Sequence, residues 1–420
     1  MIQTFELSAG VVLRCFPDHR FKQGCLSVQL LRPMCREEAA LNALIPAVLL
    51  RGTQNAPDLQ AITLRLDDLY GAAVGALVRR VGDYQTTGLC CSFMEDKYAF
   101  QGDRVLEPMI GFLEELLFRP VLEQGIFRQD YVESEKRNLI LTMESQLNDK
   151  RVYANGQLIR KMCTRDPFGI PRLGEPEQVE TITAESAYSH YRRILQESQI
   201  QLFYVGAAQP EQVAQLLRPM FRYRGGQDRV LPPQTAFSDP PTGEHTETMD
   251  VTQGKLCMGF VSPITLRDDR FAAMQVCNML FGGGMTSKLF MQIREAQSLC
   301  YDIGSGYHGS KGIVSVSAGI DFDKEAVVRE QVLKLLAQCG SGEFTQQELT
   351  AAKQALISQL QSTHDSPGAI ENYYASGLLS GLNRTPAQYM EAVEAVTAEQ
   401  VAEAARTLTL HTVYFLKGVR

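Results

Sequence analysis

Two stretches of this 420-residue chain can be laid on one another without a gap, which constrains the fold more than any other feature of the sequence. Gly24-Cys25-Leu26-Ser27-Val28 opens a strand that leads to a helix ending at Leu50-Arg51-Gly52. Gly254-Lys255-Leu256-Cys257-Met258 opens another that leads to Leu280-Phe281-Gly282. From Gly24 to Gly52 is 28 residues, from Gly254 to Gly282 again 28, and the offset of 230 still holds between Leu69 and Leu299. Further on the offset shrinks, as turns of unequal length require. A strand over 89–93 matches one over 313–317, and a long helix opening at Phe127 matches one opening at Phe344, with Lys136 opposite Lys353. A unit of roughly 200 residues read twice predicts an internal duplication.

The chain is also too long for one ordinary core and suits two domains. The expected division is an N-terminal repeat over 1–225, a linker over 226–247 and a C-terminal repeat over 248–420. The linker carries four prolines among polar residues, a composition that breaks helix and strand alike. Within the repeats, Val314, Val316, Ala318 and Ile320 alternate with Ser315, Ser317 and Gly319, the pattern of a sheet with one face covered. Helices over 102–118 and 127–161 supply the cover. The first has an apolar stripe at helical spacing (Leu106, Met109, Ile110, Leu113, Leu116, Leu117). The predicted fold class is α+β, as two homologous α/β-layered repeats.

Composition excludes several classes. Apolar residues at 45% and charged residues at 21% are those of a globular protein. A net charge of −7 without a basic stripe argues against nucleic acid as a partner. The opening MIQTFELSAG lacks a signal pattern, and no apolar run reaches the ~18 residues of a membrane span, so no membrane partner is expected. Ten cysteines without a CxxC read as reduced thiols packed as small hydrophobes, which places the chain in the cytoplasm.

Residues 281–321 carry the most specific motif. The turn Gly282-Gly283-Gly284 leads into a helix predicted over 288–297, capped by Thr286 or Ser287, with Leu289, Phe290 and Ile293 facing the sheet. Arg294 is on that helix, Tyr301 follows seven residues later, and an alternating strand comes next. On these residues the chain resembles the second half of the insulinase/pitrilysin-like metallopeptidases, a family that includes the mitochondrial processing peptidases. The resemblance implies that Arg294 and Tyr301 grip a substrate carbonyl opposite a zinc ion. It also implies that Gly282, Gly283 and Gly284 belong to a substrate-handling loop, and that the two repeats close as a clamshell around a chamber. Taken by themselves, the two side chains read rather as a solvated arginine and a tyrosine packed at a strand start; the Gly282-Gly283-Gly284 turn and the spacing of seven in the resembling family turn the reading toward a contact role.

The zinc half of such a site is missing. The family carries His-x-x-Glu-His on a helix before a Lys/Arg-Gly-Thr turn, so that both imidazoles meet one metal while the carboxylate activates its water. The turn is present as Arg51-Gly52-Thr53, and counting back from it the motif falls on Ala43, Leu44, Ile45, Pro46 and Ala47. Both ligand positions are alanine and the general-base position is proline. Pro46 has no N–H and presses on the carbonyl of Asn42, so a helix crossing both is expected to kink. The family's third ligand falls on Thr142 when Glu135-Lys136 is the landmark; a slip of one gives Met143 and of two Glu144. Neither a hydroxyl nor a thioether holds zinc well. The six histidines (His19, His190, His245, His308, His364, His411) show no ligand spacing. No metal and no cofactor is expected, and no catalytic residue in this chain alone.

Two look-alikes are set aside. Gly304-Ser305-Gly306-Tyr307-His308-Gly309 fits GxGxxG but leads into a strand, where a dinucleotide site needs a helix. The run from Gly282 to Lys288 lacks the Gly-Lys-Ser/Thr ending of a phosphate loop. The function the resemblance implies is a non-metal subunit of a heterodimeric zinc peptidase, supplying Arg294 and Tyr301 to a partner's zinc site. The partner would be a paralogous zinc-containing subunit, or a second copy in a homodimer, and the ligand a peptide or protein. The alternative is a catalytically inactive homologue acting as a binding or assembly scaffold. Bacterial family members lacking the zinc motif resemble this chain and are associated with elongation factor P modification.

Overall fold

The computed structural model describes residues 2–222, 231–232, 234–382 and 384–419. Residues 225–230 and 233, where the first boundary and much of the expected linker fall, lie outside the described residues. The chain forms two compact units that do not follow the chain as two consecutive blocks. One holds residues within 2–144, 170–232 and 364–376; the other holds 145–169, 234–363 and 377–419.

The first unit is built on a six-stranded sheet. Its strands are β1 (Gln3–Ser8), β2 (Val11–Pro17), β3 (Gln23–Pro33), β4 (Ala73–Val81), β5 (Tyr84–Met94) and β6 (Gln199–Gly206), in the order β1-β2-β6-β3-β5-β4. Strand β3 sits centrally, and successive side chains point to opposite faces. Leu26, Val28 and Leu30 enter a core shared with helix α1 (Arg36–Leu49) through Ala40, Leu44, Ile45 and Val48. Helix α2 (Leu106–Phe118) adds its stripe, with Met109, Leu113 and Leu116 fully enclosed. Each such side chain stabilises the fold by about 1.5–3 kcal/mol, so these two helices are committed to that face.

The opposite face is polar, and residues 364–376 cover it. Ser27 Oγ and Gln29 Nε2 each donate to the Glu371 carboxylate at 2.7 Å, and Arg79 pairs with it at 2.8 Å. Tyr374 stacks on Phe16, ring centroids 4.3 Å apart. The carboxylate is 1% exposed; with three donors on it, the charge is compensated rather than stranded.

The second unit has a five-stranded sheet. Its strands are β7 (Gly243–Thr248), β8 (Gly254–Val261), β9 (Asp302–His308), β10 (Ile313–Ile320) and β11 (Thr409–Lys417), ordered β9-β10-β8-β11-β7. Five strands of the first sheet, β4-β5-β3-β6-β2, follow the same order and sense. In both sheets the last pair is parallel and the other three are antiparallel. Strand β7 occupies the end of the expected linker.

The helix expected over 127–161 is two helices, α3 (Gln129–Asn148) and α4 (Lys150–Met162). Asp149 ends the first and caps the second, its carboxylate accepting from the N–H groups of Arg151 and Val152. Helix α4 belongs to the second unit, where Ala154, Leu158 and Met162 pack with Cys257, Tyr414 and Leu416. A Cβ on Gly259 would stand 2.1 Å from Met162 Sδ, so the glycine is what admits the helix. Buried Lys311 pairs with Asp166 at 2.9 Å and donates to the Thr235 carbonyl at 3.0 Å. Among the described residues no helix is long and apolar enough to cross a membrane.

Candidate functional site

Helix α1, on which the resemblance sets the expected zinc positions, runs through Pro46 to Leu49. The proline leaves the Asn42 carbonyl without its usual partner four residues on. Thr87 Oγ1 takes that role, donating to Asn42 O at 2.5 Å. The Asn42 side chain is equally engaged. Its Nδ2 donates to Gln85 Oε1 at 2.9 Å, and its Oδ1 lies 2.7 Å from His190 Nε2. Arg193 Nη2 stands 2.8 Å from His190 Nδ1 and 2.9 Å from Glu38 Oε1. Arg32 adds three bonds to Glu38 and one to Glu197.

A buried hydrogen-bond network thus backs this helix, while Ala43 and Ile45 are buried core residues. Burial, reinforced by Arg193 and Arg32, holds the His190 imidazole down to about 4. Thr142 is exposed on α3 and its hydroxyl donates to the Asn138 carbonyl one turn back at 2.8 Å. The landmark Glu135 pairs with Arg51 at 3.3 Å. Two methyl groups and a hydroxyl bonded to its own helix do not fit a zinc ion.

The remaining candidates all lie in the second unit. Residues Leu289–Ala296 form a π-helix, a wider turn than the one expected. Leu289 and Ile293 are buried, as the spacing predicted. Phe290 does not share their burial: it is half-buried, with the Arg294 guanidinium 4.6 Å above its ring. Ser287 Oγ lies 3.5 Å from Phe290 N, too long for a firm cap. The return to the sheet passes through Ser298 in a left-handed conformation, φ 50°, which costs a non-glycine residue on the order of 1–2 kcal/mol.

Arg294 and Tyr301 line one open cavity of about 430 Å³, together with Glu295, Ser298, Asp321 and Lys324. Tyr301 is 60% exposed and its hydroxyl donates to Asp321 Oδ1 at 2.9 Å. That carboxylate raises the phenol above its usual range, so Tyr301 stays a hydrogen-bond donor at neutral pH. Lys324 pairs with the other Asp321 oxygen at 2.9 Å, and Arg294 with Glu295 at 3.3 Å.

The glycine turn lines a different cavity, of about 640 Å³. Its floor is Gly304, Gly306, Ser315 and Ser317, and its far wall is Arg151 and Asn155 of α4. The floor pairs as Gly304 with Ser317 and Gly306 with Ser315, so only small groups cover the sheet there. A Cβ on Gly282 would meet Leu289 and Ser305 at 2.6 Å, and one on Gly283 would meet Met279 at 2.7 Å; packing alone requires both glycines. The Gly282 carbonyl accepts from Ser305 N at 2.8 Å, tying the turn to edge strand β9. Among the described residues the buried Asn155 side-chain oxygen has no hydrogen-bond partner. Arg151 and Asn155 were absent from the sequence-based candidates, because nothing local to α4 signals proximity to a turn more than a hundred residues later.

The family description "Peptidase M16 inactive domain" matches residues 181–356. The chain is 30% identical over 413 residues to the "Probable inactive metalloprotease YmfF" of Bacillus subtilis (strain 168), covering 97% of this chain and 96% of that protein. A conserved protein from Enterococcus faecalis V583 superposes with a TM-score of 0.91 at 27% identity, over 99% of this chain and 98% of that one. The peptidase M16 inactive domain from Pseudomonas fluorescens gives 0.81 at 17% identity, over 99% and 98%, a likeness of fold. Sequence identity sustained from end to end places the chain in the insulinase/pitrilysin-like M16 peptidase family, as a homologue whose sequence contains no His-x-x-Glu-His motif.

Proposed function

We propose that the chain serves as the non-metal subunit of a heterodimeric insulinase-like zinc peptidase, presenting Arg294 and Tyr301 to a peptide bound at its partner's zinc. The observation that carries this reading is that both donors reach the same open cavity while the zinc positions are taken up by methyl groups and a self-bonded hydroxyl. A guanidinium and a phenol both donate to oxygen, as a developing oxyanion requires. The partner is a paralogue of similar length with an intact His-x-x-Glu-His, the compartment is the cytoplasm, and the like-ordered sheets are products of one duplication.

The test is a mixed complex with such a paralogue. Arg294→Ala lowers turnover by roughly 100- to 1,000-fold, the effect of losing one oxyanion donor, and leaves assembly intact. Tyr301→Phe gives a smaller loss in the same direction. A rate unchanged by both substitutions refutes the reading.

A second reading, an inactive binding or assembly scaffold, draws on a separate observation. Each donor already has a carboxylate partner, Glu295 for Arg294 and Asp321 for Tyr301. In that reading the chain works without chemistry, as a homodimer or with another protein, and elongation factor P modification is the process it serves. A complex that assembles but has no peptidase activity to lose favours it.

A further inference from the structure

Cys25 on β3 and Cys90 on β5 stand with their sulfur atoms 3.7 Å apart, one thiol hydrogen-bonded to the other. The register sets Cys25 against Ser92 and Ser27 against Cys90, so the two cysteines are diagonal neighbours on the sheet face that carries Ser27 and Gln29. Cys25 is buried and Cys90 half-buried. Opposite Cys90 on β4 is Gly75, and among the described residues nothing lies within 4 Å of the place a Cβ would take there. A small solute therefore has room to approach the Cys90 sulfur from the β4 side.

The two thiols are also unlike. The hydrogen bond with Cys25 draws the Cys90 thiol below its usual range, against burial and the Glu371 carboxylate and with a smaller contribution from Arg79, while Cys25 is pushed up by the same bond and by burial. Cys90 is thus the more acidic of the two sulfurs, and Cys25 the thiol that holds its proton more tightly. The other cysteines differ in setting. Cys15, Cys91, Cys163, Cys257, Cys277 and Cys339 are buried, where a thiol is inert, and Cys300, at the edge of the Arg294 cavity, is pushed up to about 11 by burial. Cys35 is half-buried, but it donates to the Glu37 carboxylate at 2.6 Å, which keeps its proton on.

We propose that Cys25 and Cys90 form a redox-reactive dithiol site that a hydroperoxide oxidises to an intramolecular disulfide. The Cys90 thiolate attacks one peroxide oxygen, the O–O bond breaks, and Cys90 becomes a sulfenic acid as hydroxide leaves. The Cys25 sulfur then attacks the Cys90 sulfur; the S–O bond breaks, the S–S bond forms, and the Cys25 proton leaves with the oxygen as water. Two thiols lose two electrons in all, and one peroxide becomes two waters. A small dithiol reverses the step by thiol–disulfide exchange. Closing the bond requires the sulfurs to approach from 3.7 Å to about 2.05 Å, a movement that rotation about the two side-chain bonds and a small strand shift supply.

The experiment treats the folded full-length chain with hydrogen peroxide, blocks remaining thiols by alkylation, and maps disulfides by tandem mass spectrometry. The expected result is a linked Cys25–Cys90 peptide pair that dithiothreitol dissolves, formed at least about tenfold faster than any oxidation of Cys35. Cys90→Ser leaves Cys25 reduced. Cys25→Ser leaves a sulfenic acid at Cys90 that dimedone traps, and Cys91→Ser leaves the linkage intact. The proposal is overturned if Cys90 goes on to the sulfinic acid while Cys25 stays free, if Cys35 reacts first, or if the linkage maps to Cys91.

Discussion

Acidification should weaken the first unit through a single imidazole, and the size of the effect follows from the network around α1. Arg193 Nη2 lies 2.8 Å from His190 Nδ1, and a guanidinium can only donate, so Nδ1 accepts and the ring proton sits on Nε2, facing Asn42 Oδ1. Protonation would put a second N–H against that guanidinium. Burial is the main reason the folded imidazole titrates only near 4, with Arg193 and Arg32 acting in the same direction and Glu38 and Glu197 against it. In the unfolded chain the ring takes its proton near 6.5.

Between those values the unfolded state binds more protons, so the contribution to stability is complete above pH 6.5 and declines as pH falls to about 4. At 1.36 kcal/mol per pH unit the full loss is about 3 kcal/mol, and about 2 kcal/mol of it falls between pH 7 and pH 5. Hydrogen exchange of the α1 amides measures this locally, since two compact units need not unfold together. An NMR titration of the His190 ring, assigned by its loss in His190→Gln, gives the folded value directly. The same variant should flatten the acid slope of α1 protection. A ring that titrates at or above 6.5 in the folded protein, or a slope unchanged in His190→Gln, refutes the argument.

Three further outcomes test other parts of the structure. Lys311→Met leaves the Asp166 carboxylate, 7% exposed, without its cation, and should cost about 3–5 kcal/mol; an unchanged urea midpoint for the second unit would contradict this. Thr87→Val strips the Asn42 carbonyl of its donor, a loss of about 1–3 kcal/mol. Adding Pro46→Ala restores an N–H in the helix and should recover part of that loss, and the absence of coupling in the double-mutant cycle would show the two are unrelated. The triple variant Ala43→His, Pro46→Glu, Ala47→His should bind no zinc stoichiometrically after dialysis and cleave no peptide, because Thr142 still leaves the third ligand missing. One zinc per chain with peptidase activity would overturn that.

Much of the framework was legible locally. Strand β3 and helix α1 were readable from the run between Gly24 and Gly52, and β10 from its alternation, because period-two and period-3.6 patterns report which face is buried. The break at Asp149 was equally available, an aspartate before Arg151 and Val152 that reads as a cap, but the long apolar-polar pattern on both sides disguised it. The glycine turn was rightly located, yet its glycines answer to Leu289, Ser305 and Met279, contacts no motif announces. Phe290 was assigned to the buried face on ideal helical spacing, and the wider π-turn moved it beneath Arg294.

Residues near one another in the chain determined the strands and most helices, since each depends on side-chain type and spacing within about four turns of backbone. Pairings across long sequence separations were decided only when the chain closed on itself. Ser27 and Glu371 meet across 344 residues, and Lys311 and Asp166 across 145. Cys25 and Cys90 meet across 65 through a strand register that either sequence alone leaves open. The same is true of residues 145–169 and 364–376, each packed on a sheet that its position in the chain does not indicate. Polar residues such as Ser27 and Gln29 read as solvent-facing until a distant carboxylate is brought to them, because hydrogen bonding to a buried charge leaves no periodic mark in a sequence.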